Sequence, residues 1–91
     1  MSVPVDPRSK FFTAMKEKME RRAREKNRTM EPWKDYDEMY LSARLVEEYH
    51  EWMNVVEHGG VGSDKLYEAD ELLDIANFCM FRWIQIKEKN D

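Results

Sequence analysis

The sequence predicts an all-α domain in which an antiparallel helical hairpin follows an N-terminal helix and completes a four-helix-type bundle by oligomerisation. Charged residues make up 37% of the 91 positions, against only three glycines and three prolines, and this composition is typical of helices. Apolar residues recur at helical spacing, and no segment alternates as a strand does. Residues 72–86 are apolar around most of the helix circumference, which indicates burial on several sides.

One domain is expected over residues 1–91, with residues 1–6 as a flexible arm because Pro4 and Pro7 discourage regular structure. A chain of this length buries a modest fraction of its surface. A last helix that is apolar on all sides therefore predicts a second copy that covers it, as a homodimer or homotetramer.

The first helix is predicted from Pro7 to about Asn27, with Phe12, Met15 and Met19 on its buried stripe. Basic residues cluster near its end, where they suit the negative pole of the helix dipole. A role for one or two of them in facing phosphate is the alternative; the cluster consists of Arg21, Arg22, Arg24, Lys26 and Arg28.

The second helix is predicted from Tyr36 to about His58, with Asp35 as its N-cap and Glu38 completing a capping box. Residues 28–34 are predicted to be a connector because proline disfavours helix at the residue before it.

Residues 59–62, Gly-Gly-Val-Gly, predict a tight link to a third helix. Ser63 or Asp64 is expected to cap that helix, which continues to about Lys89. Two long helices joined by so short a link are expected to lie antiparallel.

The net charge of −4 is unevenly distributed along the chain. Residues 1–33 hold nine Lys or Arg against five Asp or Glu, whereas residues 34–91 hold six against fourteen. The acidic part disfavours a general nucleic-acid binder and favours a cation site. The apolar run is too short for a membrane span, no signal peptide is visible, and Cys79 is predicted to be a reduced core residue, so a cytoplasmic protein is expected.

Two groups of carboxylates are expected to face each other across the hairpin. Glu47, Glu48 and Glu51 project within one helical turn, and Glu71 and Asp74 are spaced i, i+3. We expect no Lys or Arg among them, and carboxylates are costly to bury without compensation. Oxygen-only ligation predicts Mg²⁺ as the cofactor, with Mn²⁺ as a possible substitute.

The pattern Glu47-Glu48-x-x-Glu51, followed after nineteen residues by Glu71-x-x-Asp74, resembles the motif of the MazG-type nucleoside triphosphate pyrophosphohydrolases, an all-α superfamily. The resemblance covers about residues 36–86. It implies that Glu48, Glu51, Glu71 and Asp74 bind Mg²⁺ and that Glu47 orients or deprotonates the attacking water. It also implies helical bundles completed by dimer or tetramer formation.

The activity implied is Mg²⁺-dependent cleavage of a nucleoside or deoxynucleoside triphosphate to the monophosphate and pyrophosphate. Asn77 matches a position where the family often places a polar residue near the substrate. No Lys or Arg cluster follows Asp74, so Arg82 is the nearest cation for a phosphate. Candidates for stacking on the base are Trp33, Tyr49 and Trp52, with core packing as the alternative for Tyr49 and Trp52. Lys34 and Arg44 are expected on the solvated surface, with a contact to phosphate as the alternative.

Two other functions compete with this hypothesis. A ferritin-like di-iron bundle needs two Glu-x-x-His pairs, and Glu47-x-x-His50 supplies only one. A non-catalytic helical oligomeric adaptor or regulator with a vestigial acidic site is the stronger competitor, since seven methionines provide adaptable packing surfaces. Only a functional metal site raises the melting temperature when Mg²⁺ is added.

Overall fold

The computed structural model describes residues 6–58 and 63–90, without the side chains of residues 63 and 64. All regular structure in these ranges is helical, so the predicted all-α class is confirmed. Residues 1–5 of the predicted arm, the link at 59–62 and the capping of the last helix lie outside the described atoms. The helices are α1 (Pro7–Lys26), α2 (Pro32–Asp35), α3 (Glu38–His58) and α4 (Ser63–Asn90).

Helix α1 has the predicted length, with a defined cap at each end. Asp6 accepts a hydrogen bond from the backbone N–H of Arg8 at 2.9 Å, so this residue caps the helix rather than belonging to the flexible arm. At the other end Asn27 adopts the left-handed conformation, with φ 50° and ψ 46°. The backbone N–H of Arg28 then donates to the carbonyl of Ala23 at 2.8 Å, which is a Schellman cap.

The predicted start of the second long helix is wrong by two residues. Asp35 ends the short helix α2 instead of capping α3, because Tyr36 is extended (φ −115°, ψ 146°) and breaks the helix there. Asp37 caps α3, since its carboxylate accepts from the backbone N–H of Tyr40 at 2.7 Å. Both aspartates carry capping chemistry, and the extended residue between them decides which one is used.

Helices α3 and α4 form the predicted antiparallel hairpin. Near the link, Trp52 Nε1 donates to Glu68 Oε2 at 3.0 Å, and at the far end Arg82 donates to Glu38 at 3.3 Å. Residue numbers therefore fall along α3 as they rise along α4.

Helix α4 is central, because it packs against each of the other helices. Asn77 Nδ2 donates to the carbonyl of Met15 at 3.1 Å and so joins α4 to α1. Further along, the rings of Phe81 and Trp33 lie 6.0 Å apart and join α4 to α2. No helix in the described residues has both the length and the hydropathy needed to cross a membrane.

The single chain buries few apolar side chains. Its radius of gyration is 14.9 Å, larger than the ~12 Å typical of this length. The predicted burial of α4 on several sides is wrong for one copy, because Leu72, Trp83 and Ile86 are 40%, 62% and 43% exposed. Cys79, predicted in the core, and Phe12, predicted on the buried stripe, are exposed as well. The buried apolar residues described are Met15, Ala23, Leu41 and Phe81.

Candidate metal centre

Three buried carboxylates from the two arms of the hairpin converge. Glu48 comes from α3, and Glu71 and Asp74 come from successive turns of α4. One carboxylate oxygen from each lies within 4.8 Å of the other two, and the residues are only 5%, 4% and 8% exposed. We call Glu48, Glu71 and Asp74 the carboxylate triad.

Several oxygen atoms at the triad have no hydrogen-bond partner among the described residues. They are Glu48 Oε2, Glu71 Oε2 and Asn77 Oδ1, and all three are buried. A buried acceptor without a partner costs about 1–3 kcal/mol, and more when it is charged. Two of these oxygens belong to the triad, and carboxylate oxygens are the donors that a hard divalent cation prefers.

Glu48 and Glu71 of the triad resist ionisation. Burial raises the pKa of Glu48 to about 7, with further contributions from the negative charges of Asp74 and Glu51. Burial also raises the pKa of Glu71, and the same two neighbours add to the effect. The mutual repulsion predicted from the sequence is therefore present.

The expectation of a site without a nearby cation is wrong, because α1 supplies Lys18. This residue is 1% exposed, and its Nζ lies 2.8 Å from Asp74 Oδ2, from Asp70 Oδ2 and from the Asp70 carbonyl oxygen. Sequence reasoning missed it because Lys18 lies far from the acidic motif along the chain. Its position between Met15 and Met19, on the buried stripe of α1, is the signal that could have found it.

Arg44 also belongs to the centre and does not lie on the solvated surface. Its Nη2 donates to Glu48 Oε1 at 2.8 Å, its Nη1 pairs with Glu47, and its side chain is 22% exposed. The guanidinium lies 5.1 Å from the ring centroid of Phe78, which adds a cation–π contact.

A cavity of about 300 Å³ opens beside the triad, between the C-terminal end of α1, the α2–α3 region and α4. Acidic and amide side chains form one part of its lining, and basic and aromatic side chains form the rest. Its polar and aromatic lining includes Glu48, Glu51, Asp74 and Asn77, the cations Arg22, Lys26, Arg28 and Arg44, and the rings of Tyr36, Tyr40, Phe78 and Phe81.

The remaining predicted acidic residues differ in position. Glu51 lines the cavity, where it is exposed and lies outside the triad. Glu47 has a side chain that is 61% exposed, is paired with Arg44 and does not line the cavity.

Of the predicted substrate contacts, the structure brings only Asn77 to the cavity. Trp52 is bonded to Glu68, Trp33 packs on Phe81, and neither lines the cavity. Arg82 is also absent from the lining, because it donates to Glu38 and to Gln85. A substrate role for these three residues remains a prediction that the geometry does not support.

Comparison with known proteins identifies a relative of this chain. A protein of Archaeoglobus fulgidus, described as uncharacterized, is 40% identical over 81 residues, which cover 89% of this chain and 83% of that protein. No protein-family model matches the chain, and no solved structure matches it. The description of that relative names no activity.

Proposed function

We propose that this chain is a Mg²⁺-dependent nucleoside triphosphate pyrophosphohydrolase. It belongs to the same family as the uncharacterized Archaeoglobus fulgidus protein. Its products are a nucleoside or deoxynucleoside monophosphate and pyrophosphate. The observation that carries the proposal is the buried carboxylate triad, in which Glu48 and Glu71 each have one oxygen without a partner among the described residues. These are positions at which the sequence resembles the MazG-type motif.

The residues present fit Mg²⁺, and Mn²⁺ is a possible substitute. The triad offers oxygen donors only, which Mg²⁺ prefers, and Glu51 lies at the adjoining cavity wall as the fourth predicted ligand. When bound, such an ion offsets carboxylate repulsion, polarises a phosphoryl oxygen and lowers the pKa of water.

The reaction requires that a water oxygen attack the α-phosphorus of the substrate. The bond from that phosphorus to the oxygen bridging the α and β phosphates breaks, and pyrophosphate leaves with the electron pair. The proton of the water passes to a carboxylate of this chain. Glu51 is better placed than Glu47 to accept it, because Glu51 lines the cavity whereas Glu47 is paired with Arg44 outside the lining.

The base of the nucleotide is best accommodated by two tyrosines of the cavity. The rings of Tyr36 and Tyr40 are stacked with centroids 4.5 Å apart, and both residues line the cavity. Aromatic faces are suited to stacking on a planar base. In this arrangement they take the role that the sequence suggested for Trp33 and Trp52.

A homodimer or homotetramer is part of the proposal, as is a cytoplasmic location. Large apolar side chains exposed on α4 support the assembly, including Leu66 at 77% and Trp83 at 62% exposure. Light scattering on the purified protein measures the mass directly, and a monomer at micromolar concentration would contradict this part.

The proposed activity is tested by incubating the protein with a panel of NTPs and dNTPs and Mg²⁺ or Mn²⁺, with products separated by ion exchange. We expect monophosphate and pyrophosphate from the wild type and none from a Glu71→Gln/Asp74→Asn variant. Diphosphate and phosphate as products would overturn the assigned cleavage site.

A non-catalytic helical adaptor or regulator with a vestigial acidic site is the second candidate. One observation favours it: Lys18 and Arg44 already pair with Asp74 and Glu48, so part of the negative charge is compensated without a metal. This candidate predicts no turnover and no Mg²⁺-dependent rise in melting temperature.

A further inference from the structure

The cavity beside the triad has a basic side that the proposed metal chemistry does not use. Arg22, Lys26 and Arg28 line it, opposite in charge to Glu48 and Asp74 in the same lining. Lys26 and Arg28 have exposed side chains that form no ion pair with any described residue. We call Arg22, Lys26 and Arg28 the basic wall.

Local structure explains why these three cations meet. Arg22 and Lys26 are spaced i, i+4 and so share one face of α1, whereas Arg24 lies on a different face and does not line the cavity. The left-handed Asn27 ends the helix, and the bond from the Arg28 N–H to the Ala23 carbonyl turns the chain back. Arg28 thereby joins the lining although it lies beyond the helix.

The basic wall reaches the acidic side directly. Arg22 Nη2 lies 3.7 Å from Asp74 Oδ2, which is too long for a hydrogen bond, and the side chain of Arg22 is 45% exposed. The Arg22 guanidinium therefore has no close hydrogen bond to Asp74. It is available to an anion that lies between the basic wall and the acidic residues of the cavity.

We propose that the basic wall binds the polyphosphate chain of the substrate, an assignment that rests on the proposed function. A polyphosphate chelated to a divalent cation on the triad extends into the cavity, where Lys26 and Arg28 bind its outer phosphates. Guanidinium groups form paired hydrogen bonds to phosphate oxygens, and an ammonium acts as a point charge. Because the chain is acidic overall, such a local cluster is needed to attract a polyanion.

The competing explanation is that these cations merely offset the negative end of the α1 dipole. Arg24 lies in the same last turn of the helix and serves the dipole equally well, yet it faces away from the cavity lining. The two explanations therefore differ in what they predict for Arg24.

The test is isothermal titration of the full chain with inorganic tripolyphosphate in the presence of Mg²⁺, which isolates phosphate binding from base recognition. The Lys26→Gln/Arg28→Gln variant is compared with a Lys10→Gln/Arg24→Gln control, which removes the same charge from exposed positions outside this cavity. We expect affinity at least ~10-fold weaker in the first variant, a change of less than about twofold in the control, and unaltered binding of Mg²⁺ alone.

Equal losses in both variants, or no loss in either, would overturn the basic wall even if the wild type hydrolyses nucleotides. A wild type that shows neither nucleotide turnover nor a Mg²⁺-dependent rise in melting temperature would instead overturn the proposed function, and the assignment of the wall with it. Melting curves without ligand verify that both variants fold.

Discussion

Two parts of α4 each bury an amide side chain, but the two amides differ in how many of their polar atoms have hydrogen-bond partners. In the C-terminal part, Gln85 is 4% exposed and its amide is fully used. Its Nε2 donates to the carbonyls of Tyr36 at 2.8 Å and Trp33 at 3.4 Å, and its Oε1 accepts from Arg82 at 3.1 Å. In the middle of the helix, Asn77 is equally buried, but its Oδ1 has no partner among the described residues.

The difference shows that burial of a polar group does not by itself indicate a ligand site. Gln85 closes its hydrogen bonds within the protein and ties α4 to the segment around α2, so its role is structural. Glu48 and Asn77, which both line the cavity, each have a buried acceptor without a partner among the described residues. Open acceptors at that depth are what a bound cation or substrate would satisfy.

The largest effect that we expect is the loss of activity when the charges of the triad are removed. Glu71→Gln/Asp74→Asn removes two triad charges, so we expect hydrolysis to fall at least ~100-fold and the Mg²⁺-dependent rise in melting temperature to disappear. Glu88→Gln, an exposed acidic residue on the same helix, is the matched control. Activity retained in the double variant would mean that the triad is not the metal site.

Replacing the buried ammonium of the centre tests how the acids are compensated. Lys18→Met leaves Asp70 and Asp74 without their 2.8 Å partner, and we expect a loss of about 3–5 kcal/mol in the free energy of unfolding in EDTA. Mg²⁺ is expected to restore part of this loss, so its stabilising effect becomes larger than in wild type.

Lys16→Met is the control for that substitution, because the Lys16 side chain is 75% exposed on the same helix. Urea denaturation with and without Mg²⁺ measures both quantities. An unchanged Mg²⁺ effect in Lys18→Met would show that the lysine and the cation do not share the same carboxylates.

The amides of α4 provide the most direct comparison of the two parts. Gln85→Ala leaves the carbonyls of Trp33 and Tyr36 without this donor, and we expect a loss of about 1–3 kcal/mol in stability with Mg²⁺ affinity unchanged. Asn77→Ala removes one hydrogen bond, from Nδ2 to the carbonyl of Met15, and an acceptor without a partner among the described residues. Because Gln85 makes three hydrogen bonds, we expect a smaller loss of stability from Asn77→Ala than from Gln85→Ala, and a larger loss of activity. The reverse ranking would refute the distinction between a structural and a functional amide.

A smaller effect is expected in the dependence of stability on pH. The pKa of Glu48 rises from 4.5 to about 7 on folding, so the folded protein holds a proton that the unfolded chain releases. The contribution of Glu48 to stability in EDTA is therefore fully present below pH 4.5 and is lost as the pH rises through 7. We expect the melting temperature to fall by a few degrees over that range, and the slope to shrink in Glu48→Gln; an identical slope in that variant would contradict this assignment.

The chain alone predicts the helical class, the hairpin and the meeting of Glu48 with Glu71 and Asp74. These features depend on local periodicity and on the near-equal distance of both groups from the link, and neither requires knowledge of contacts between distant segments. The start of α3 was misplaced because two aspartates two residues apart offer the same capping chemistry.

Only the tertiary structure decided what surrounds the triad. Lys18 and Arg22 reach it from α1, more than fifty residues before Asp74 along the chain, and their arrival depends on how α1 packs on α4. The same packing leaves Trp33, Trp52 and Arg82 outside the cavity lining and places Tyr36, Tyr40 and Arg28 in it. Helical spacing determines which residues share a face, whereas the side chains that meet across helices follow from packing of the whole chain.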